Sequence, residues 1–116
     1  MSNVPQVDLA LDDFELVVLR VGDKAEGMEE TTVRRLQAEH IAFLFGLQRE
    51  GKLLAAGAVA RAPGQEITGI GFFAVGSVDE VRALVEKDPS VIAGLDSAEV
   101  LSFMCPKGAI TFPNAG

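Results

Sequence analysis

His40 is the only histidine of the chain, and imidazole is the side chain whose ordinary titration range lets it take and return a proton near neutrality. It recurs with Val33, Leu36, Leu44 and Leu47 at spacings of three and four, so it lies on the apolar stripe of a helix. A titratable ring there costs free energy unless something satisfies it. Two readings follow, a general base or a core histidine bonded to a nearby carbonyl, and the residues alone favour the second. A metal site has less support, because no second His or Cys stands at ligand spacing.

Asp88 precedes Pro89 and suits a helix N-cap, since proline at the first helical position wastes no amide and the carboxylate accepts the next ones. That role needs no catalysis. Arg20, late in the first apolar run, is a candidate to hold an anionic substrate group, against the plainer reading of an exposed arginine that aids solubility. Cys105 has neither a cationic run nor a tight βα turn around it and reads as an inert thiol at a strand end. Gly69-Ile-Gly71 lacks the third glycine and following helix of a dinucleotide fingerprint, and no serine occupies a nucleophile elbow.

The elements that must carry these residues follow from periodicity. Phe14–Val21 is β-branched and aliphatic between Asp12-Asp13 and Gly22-Asp23, a first strand. The polar loop from Gly22 to Glu30 is a flap over a site or, more plainly, a loose surface loop. From about Glu29 to Glu50 runs the main helix, with Gly51 in the C′ position and a second apolar stripe of Ile41 and Phe45 that calls for a further packing partner. Leu53–Ala60 and Ile67–Val75 form a hairpin around Ala62–Glu66. Ser77-Val-Asp-Glu80 is a capping box opening a short helix that ends near Lys87. Asp88-Pro89 opens a turn that Gly94 closes, and Ser97–Met104 is the last strand.

The order β-α-β-β-α-β predicts an α+β ferredoxin-like sandwich with both helices on one face. Its strands are apolar on both parities, so the other face needs a cover, and a second copy packed sheet to sheet supplies it as a dimeric α+β barrel. Residues 14–104 are expected to form the domain, 1–13 an N-terminal extension and 105–116 a tail that is loose or packed on a neighbour.

Composition narrows the partners. The chain has 116 residues, 48% hydrophobic and 23% charged, with a mean hydropathy of +0.27, the composition of one globular domain. A net charge of −7 repels phosphate backbones and anionic lipid, which argues against nucleic acid and membrane as partners. A single cysteine excludes an internal disulfide and suits a reducing compartment. The first thirteen residues lack a basic region and a sustained apolar run, and Ile41–Leu47 and Leu53–Ala60 fall short of the ~18 to 20 residues of a membrane span. A cytoplasmic protein is the expectation.

Phe14–Val21, Ala38-Glu-His-Ile-Ala-Phe-Leu44, Gly51-Lys-Leu-Leu-Ala-Ala-Gly57, Ser77–Val85 and Asp88-Pro-Ser-Val-Ile-Ala-Gly94 together resemble the YciI-like (YCII-related) family, in the right order over about residues 14 to 104. The resemblance implies a ferredoxin-like homodimer whose cleft holds a His and Asp pair, at His40 and Asp88 here. Ala58 stands where members often carry proline, and no Tyr or Trp is present to stack on a substrate. On this footing the chain is a small-molecule enzyme, a lyase or isomerase. Asp88 orients His40, which moves a proton next to a carbonyl or phenol. Neither cofactor nor metal is required. The alternatives are a binding or accessory protein with the same cleft and no turnover, and a family member in which the His40–Asp88 contact only stabilises the fold.

Overall fold

A computed structural model describes residues 9–113. Residues 1–8 of the expected N-terminal extension and 114–116 of the expected tail lie outside the described residues. Chain order is β1 (Leu11–Val21), α1 (Glu30–Arg49), β2 (Leu53–Ala58), β3 (Ile67–Phe73), α2 (Val78–Val85), α3 (Pro89–Ile92) and β4 (Asp96–Pro106). The strands pair antiparallel in the order β2-β3-β1-β4, so the α+β ferredoxin-like expectation holds. The one addition is α3, a single turn where a bare turn was expected.

Alternation along the strands separates two faces. Val17, Leu53, Phe73 and Val100 join Leu47 of α1 and Val81 and Val85 of α2 in the core under the helices. Burial of apolar surface is the driving term here, and Phe73 and Val81 are almost completely removed from water. Glu15 points to the same side and is buried, but its Oε1 accepts from the Val75 and Gly76 amides at 2.7 and 3.0 Å, which satisfies the carboxylate and ties down the approach to α2.

The opposite face carries Phe14, Leu54, Phe72, Phe103 and Cys105. The tail is not loose as far as it is described: the chain turns back after Pro106 and lays Phe112 on this cluster. The Phe112 ring stands edge-on to Phe14 with centroids 5.3 Å apart, and 5.5 Å from Phe72. Asp12 anchors the turn by accepting from Gly108 N–H at 2.8 Å. The cover is partial, and Leu101, paired with Leu16 on the same face, keeps 42% of its surface exposed.

Local chemistry sets the helix ends. Gly51, at φ +77°, takes the left-handed position after α1. Ser77 Oγ accepts from Glu80 N–H at 3.3 Å, so the serine half of the capping box forms. The second stripe of α1 finds no cover within the described chain, and Ile41 and Phe45 are half exposed. Among the described residues no helix is long and apolar enough to cross a membrane.

Candidate active site

α1 and α3 pack against each other, and this brings His40 from the middle of one onto Asp88 at the start of the other. Asp88 is held by its own helix end: its backbone carbonyl accepts from Val91 and Ile92 N–H at 3.0 and 2.9 Å, and its Oδ1 accepts from Ser90 N–H at 3.0 Å, the bond of an N-cap. The Ser90 hydroxyl donates to the same Oδ1 at 3.0 Å. Oδ2 is left for the ring, and the His40 Nδ1 lies 2.5 Å from it. A carboxylate only accepts, so Nδ1 carries the proton and donates, which makes Nε2 the nitrogen able to bind or release a proton.

The pair is withdrawn from water unequally, the side chain of Asp88 being 3% exposed and that of His40 18%. Among the described residues Nε2 makes no hydrogen bond and no buried side-chain nitrogen or oxygen lacks a partner, so Nε2 keeps some contact with solvent. The hydrogen bond to Asp88 raises the His40 pKa above the ordinary 6.5; burial works against this, and the charges of Asp88 and Asp96 add to it. Asp96 opens β4 and is itself fixed by the Thr68 hydroxyl at 3.2 Å.

Two surface clefts lie elsewhere. One, at the end of α1, is lined by Phe45, Gln48, Arg49 and Gly51. The other, of about 540 Å³, runs beside the start of β4 and has Asp96 in its wall but not His40. Among the described residues no three His, Cys, Asp or Glu side chains gather as a metal site.

Of the residues singled out from sequence, the fold brings His40 and Asp88 together and leaves Arg20 apart. Val17 and Leu19 of β1 face the helices, so alternation turns Arg20 to the other side of the sheet. There it pairs with Glu99 at 3.1 Å, both side chains nearly half exposed. Cys105 is buried among phenylalanines. The loop after β1 is not loose, since Gly22 and Lys24 N–H donate to the Leu95 and Gly94 carbonyls at 2.8 and 3.0 Å. Sequence reasoning missed Ser90 and Asp96. Ser90 had a legible signal, a hydroxyl two residues past a capping aspartate.

The family model described as the YCII-related domain matches residues 16–104. No curated protein matches the chain. Two solved structures share the fold at low identity. A 5-chloro-2-hydroxyhydroquinone dehydrochlorinase from Burkholderia phenoliruptrix AC1100, in complex with 2,5-dihydroxybenzoquinone, is 20% identical with a TM-score of 0.53, over 78% of this chain and 90% of that one. A muconolactone isomerase is 21% identical with a TM-score of 0.60, over 84% of this chain and 93% of that one.

Proposed function

The chain belongs to the YCII-related family, and from that membership we propose that it is a small-molecule enzyme in which His40, oriented by Asp88, transfers a proton during an elimination or isomerisation. The observation that carries the reading is the 2.5 Å contact from Nδ1 to Asp88, with Nε2 in some contact with solvent. In the neutral ring the Nε2 lone pair takes a proton from a carbon next to a carbonyl or from a phenol hydroxyl, and Asp88 stabilises the imidazolium that forms. In an isomerisation the same proton returns to another carbon. In an elimination the electron pair expels a leaving group such as chloride, and the imidazolium releases its proton to water. No metal or cofactor takes part in these steps. The two structures similar in fold bear names from the same reaction classes, a dehydrochlorinase and an isomerase.

The working unit in this reading is a homodimer that covers the half-bare sheet face around Leu101. Arg20, on that face and paired with Glu99, is no part of the proton-transfer site of its own subunit. A second reading, a binding or accessory protein without turnover, draws on the same pair and on the two clefts that leave His40 out of their walls.

Thermal-shift and absorbance assays with 2,5-dihydroxybenzoquinone, its chlorinated hydroquinone relatives and muconolactone, at about pH 6 to 8, test the proposal. A ligand that stabilises the protein by mass action and is turned over by the wild type but not by His40→Gln supports it. Stabilisation without turnover moves the protein to the binding class. Turnover that survives His40→Gln overturns the assignment.

A further inference from the structure

Ser90 has no surface exposed to water, and its hydroxyl is spent on the carboxylate that holds His40. The N-cap of α3 is already made by the Ser90 backbone amide on Asp88 Oδ1 at 3.0 Å, so the hydroxyl's bond to that oxygen, also at 3.0 Å, is surplus to capping. An alanine would fill the same place without burying a hydroxyl. The rotation of an aspartate carboxylate about its last bond is broad, and one amide donor does not set its plane. Two donors converging on Oδ1 do, and the free oxygen, Oδ2, is then the one aimed at Nδ1. The Ser90 Oγ stands 3.4 Å from Nδ1 as well, so the hydroxyl lies beside both members of the pair.

We infer that Ser90 is a positioning residue that acts through Asp88: its hydroxyl fixes the carboxylate plane, and so keeps the neutral His40 ring in the form with Nδ1 protonated and the lone pair on Nε2. The inference rests on the proton-transfer reading above, where that lone pair is the reacting group. It concerns the hydroxyl alone, because every backbone bond of Ser90 survives its removal.

The imidazole ¹⁵N shifts of histidine-labelled protein report the tautomer directly in a chain with one histidine, and no ligand is needed. Wild type, Ser90→Ala and Asp88→Ser are compared at a pH where the ring is neutral. Asp88→Ser keeps a capping oxygen but withdraws the group that reaches His40, and so marks complete loss of the bias. The expected result is a clear Nδ1–H form in wild type, a shift toward Nε2–H in Ser90→Ala, and a larger shift in Asp88→Ser. Wild-type shifts in Ser90→Ala alongside altered shifts in Asp88→Ser overturn the role of Ser90 and leave the pair standing. Unaltered shifts in both overturn the pair itself, and with it the proton-transfer reading. Should Ser90→Ala not fold, Ser90→Cys keeps the volume of the side chain and replaces the hydroxyl by a much weaker donor. A merely structural serine changes the unfolding midpoint and leaves the tautomer where it was.

Discussion

Gly22 and Gly94 lie backbone against backbone: a Cβ on Gly22 would stand 2.0 Å from the Gly94 carbonyl oxygen. Through this contact the loop leaving β1 is fastened to the turn that follows α3, the helix that Asp88 caps. Neither side can yield like a flexible side chain. Gly22→Ala is therefore expected to cost at least about 2 kcal/mol, in the range of an overpacked core position, and urea unfolding measures it. A midpoint equal to that of wild type would show that the two backbones are not in contact.

Ser77→Ala tests a local device in isolation. Its hydroxyl accepts from Glu80 N–H, and losing such a cap costs about 1 kcal/mol. The unfolding free energy should fall by that amount, read from a lowered urea midpoint, while ligand response is untouched. No change would mean that the α2 terminus is satisfied by water.

The raised pKa of His40 makes stability depend on pH in a definite sense. A group that binds its proton more tightly when folded stabilises the protein fully below its unfolded value, ordinarily about 6.5. That contribution is lost as pH rises through the higher folded value. Urea midpoints should therefore decline as pH is raised from about 6 through neutrality, and His40→Gln should flatten this part of the curve. A wild-type profile that rises over the same interval would contradict the assigned sign.

What could be read from sequence was what is encoded locally. The α1 stripe, Gly51, the Ser77 cap and Asp88-Pro89 are each set by a few neighbouring residues, and each stands where periodicity and capping put it. The ends of the long strands were not legible. Leu11-Asp12-Asp13 is too polar for a strand pattern, yet it is held by pairing with Met104, Cys105 and Pro106 of β4. Glu15 interrupts an apolar run, and only the amides of Val75 and Gly76, distant in sequence, make its burial possible. The packing of Phe112 on Phe14 is likewise a long-range fact. At the site, His40 and Asp88 could each be singled out by residue type. Their meeting across 48 positions is beyond any local pattern and was suggested by the family resemblance alone.

The proposed dimer can be tested on its own. Leu101 sits on the sheet face away from the helices with 42% of its surface exposed, and Phe112 covers only the aromatic half of that face. Sedimentation equilibrium at micromolar concentration is expected to give about twice the 12.3 kDa of one chain. Leu101→Lys should shift the protein toward monomer with little effect on the far-ultraviolet spectrum. A wild type that remains monomeric removes the proposal.

The sharpest division between a site and a structural contact is energetic. Asp88 is almost wholly buried and bonded through both oxygens, so a purely structural pair would lose more than about 2 kcal/mol when either member is cut away. A functional site predicts a different outcome. In His40→Leu the gain of an apolar side chain within an apolar stripe offsets part of what the buried Asp88 Oδ2 loses with its partner, so stability should fall by less than about 2 kcal/mol while turnover or binding of the identified ligand is abolished. In Asp88→Asn the amide oxygen can still cap α3, so the fold should survive, but the ring loses the charge that stabilises its imidazolium. Both variants are to be measured for urea midpoint and for ligand response normalised to folded protein. Loss of response in both, with the fall in stability kept below that mark, supports His40 and Asp88 as the reacting pair. A large loss of stability in both, with a response that follows only the folded fraction, makes the contact structural and removes the proposed mechanism.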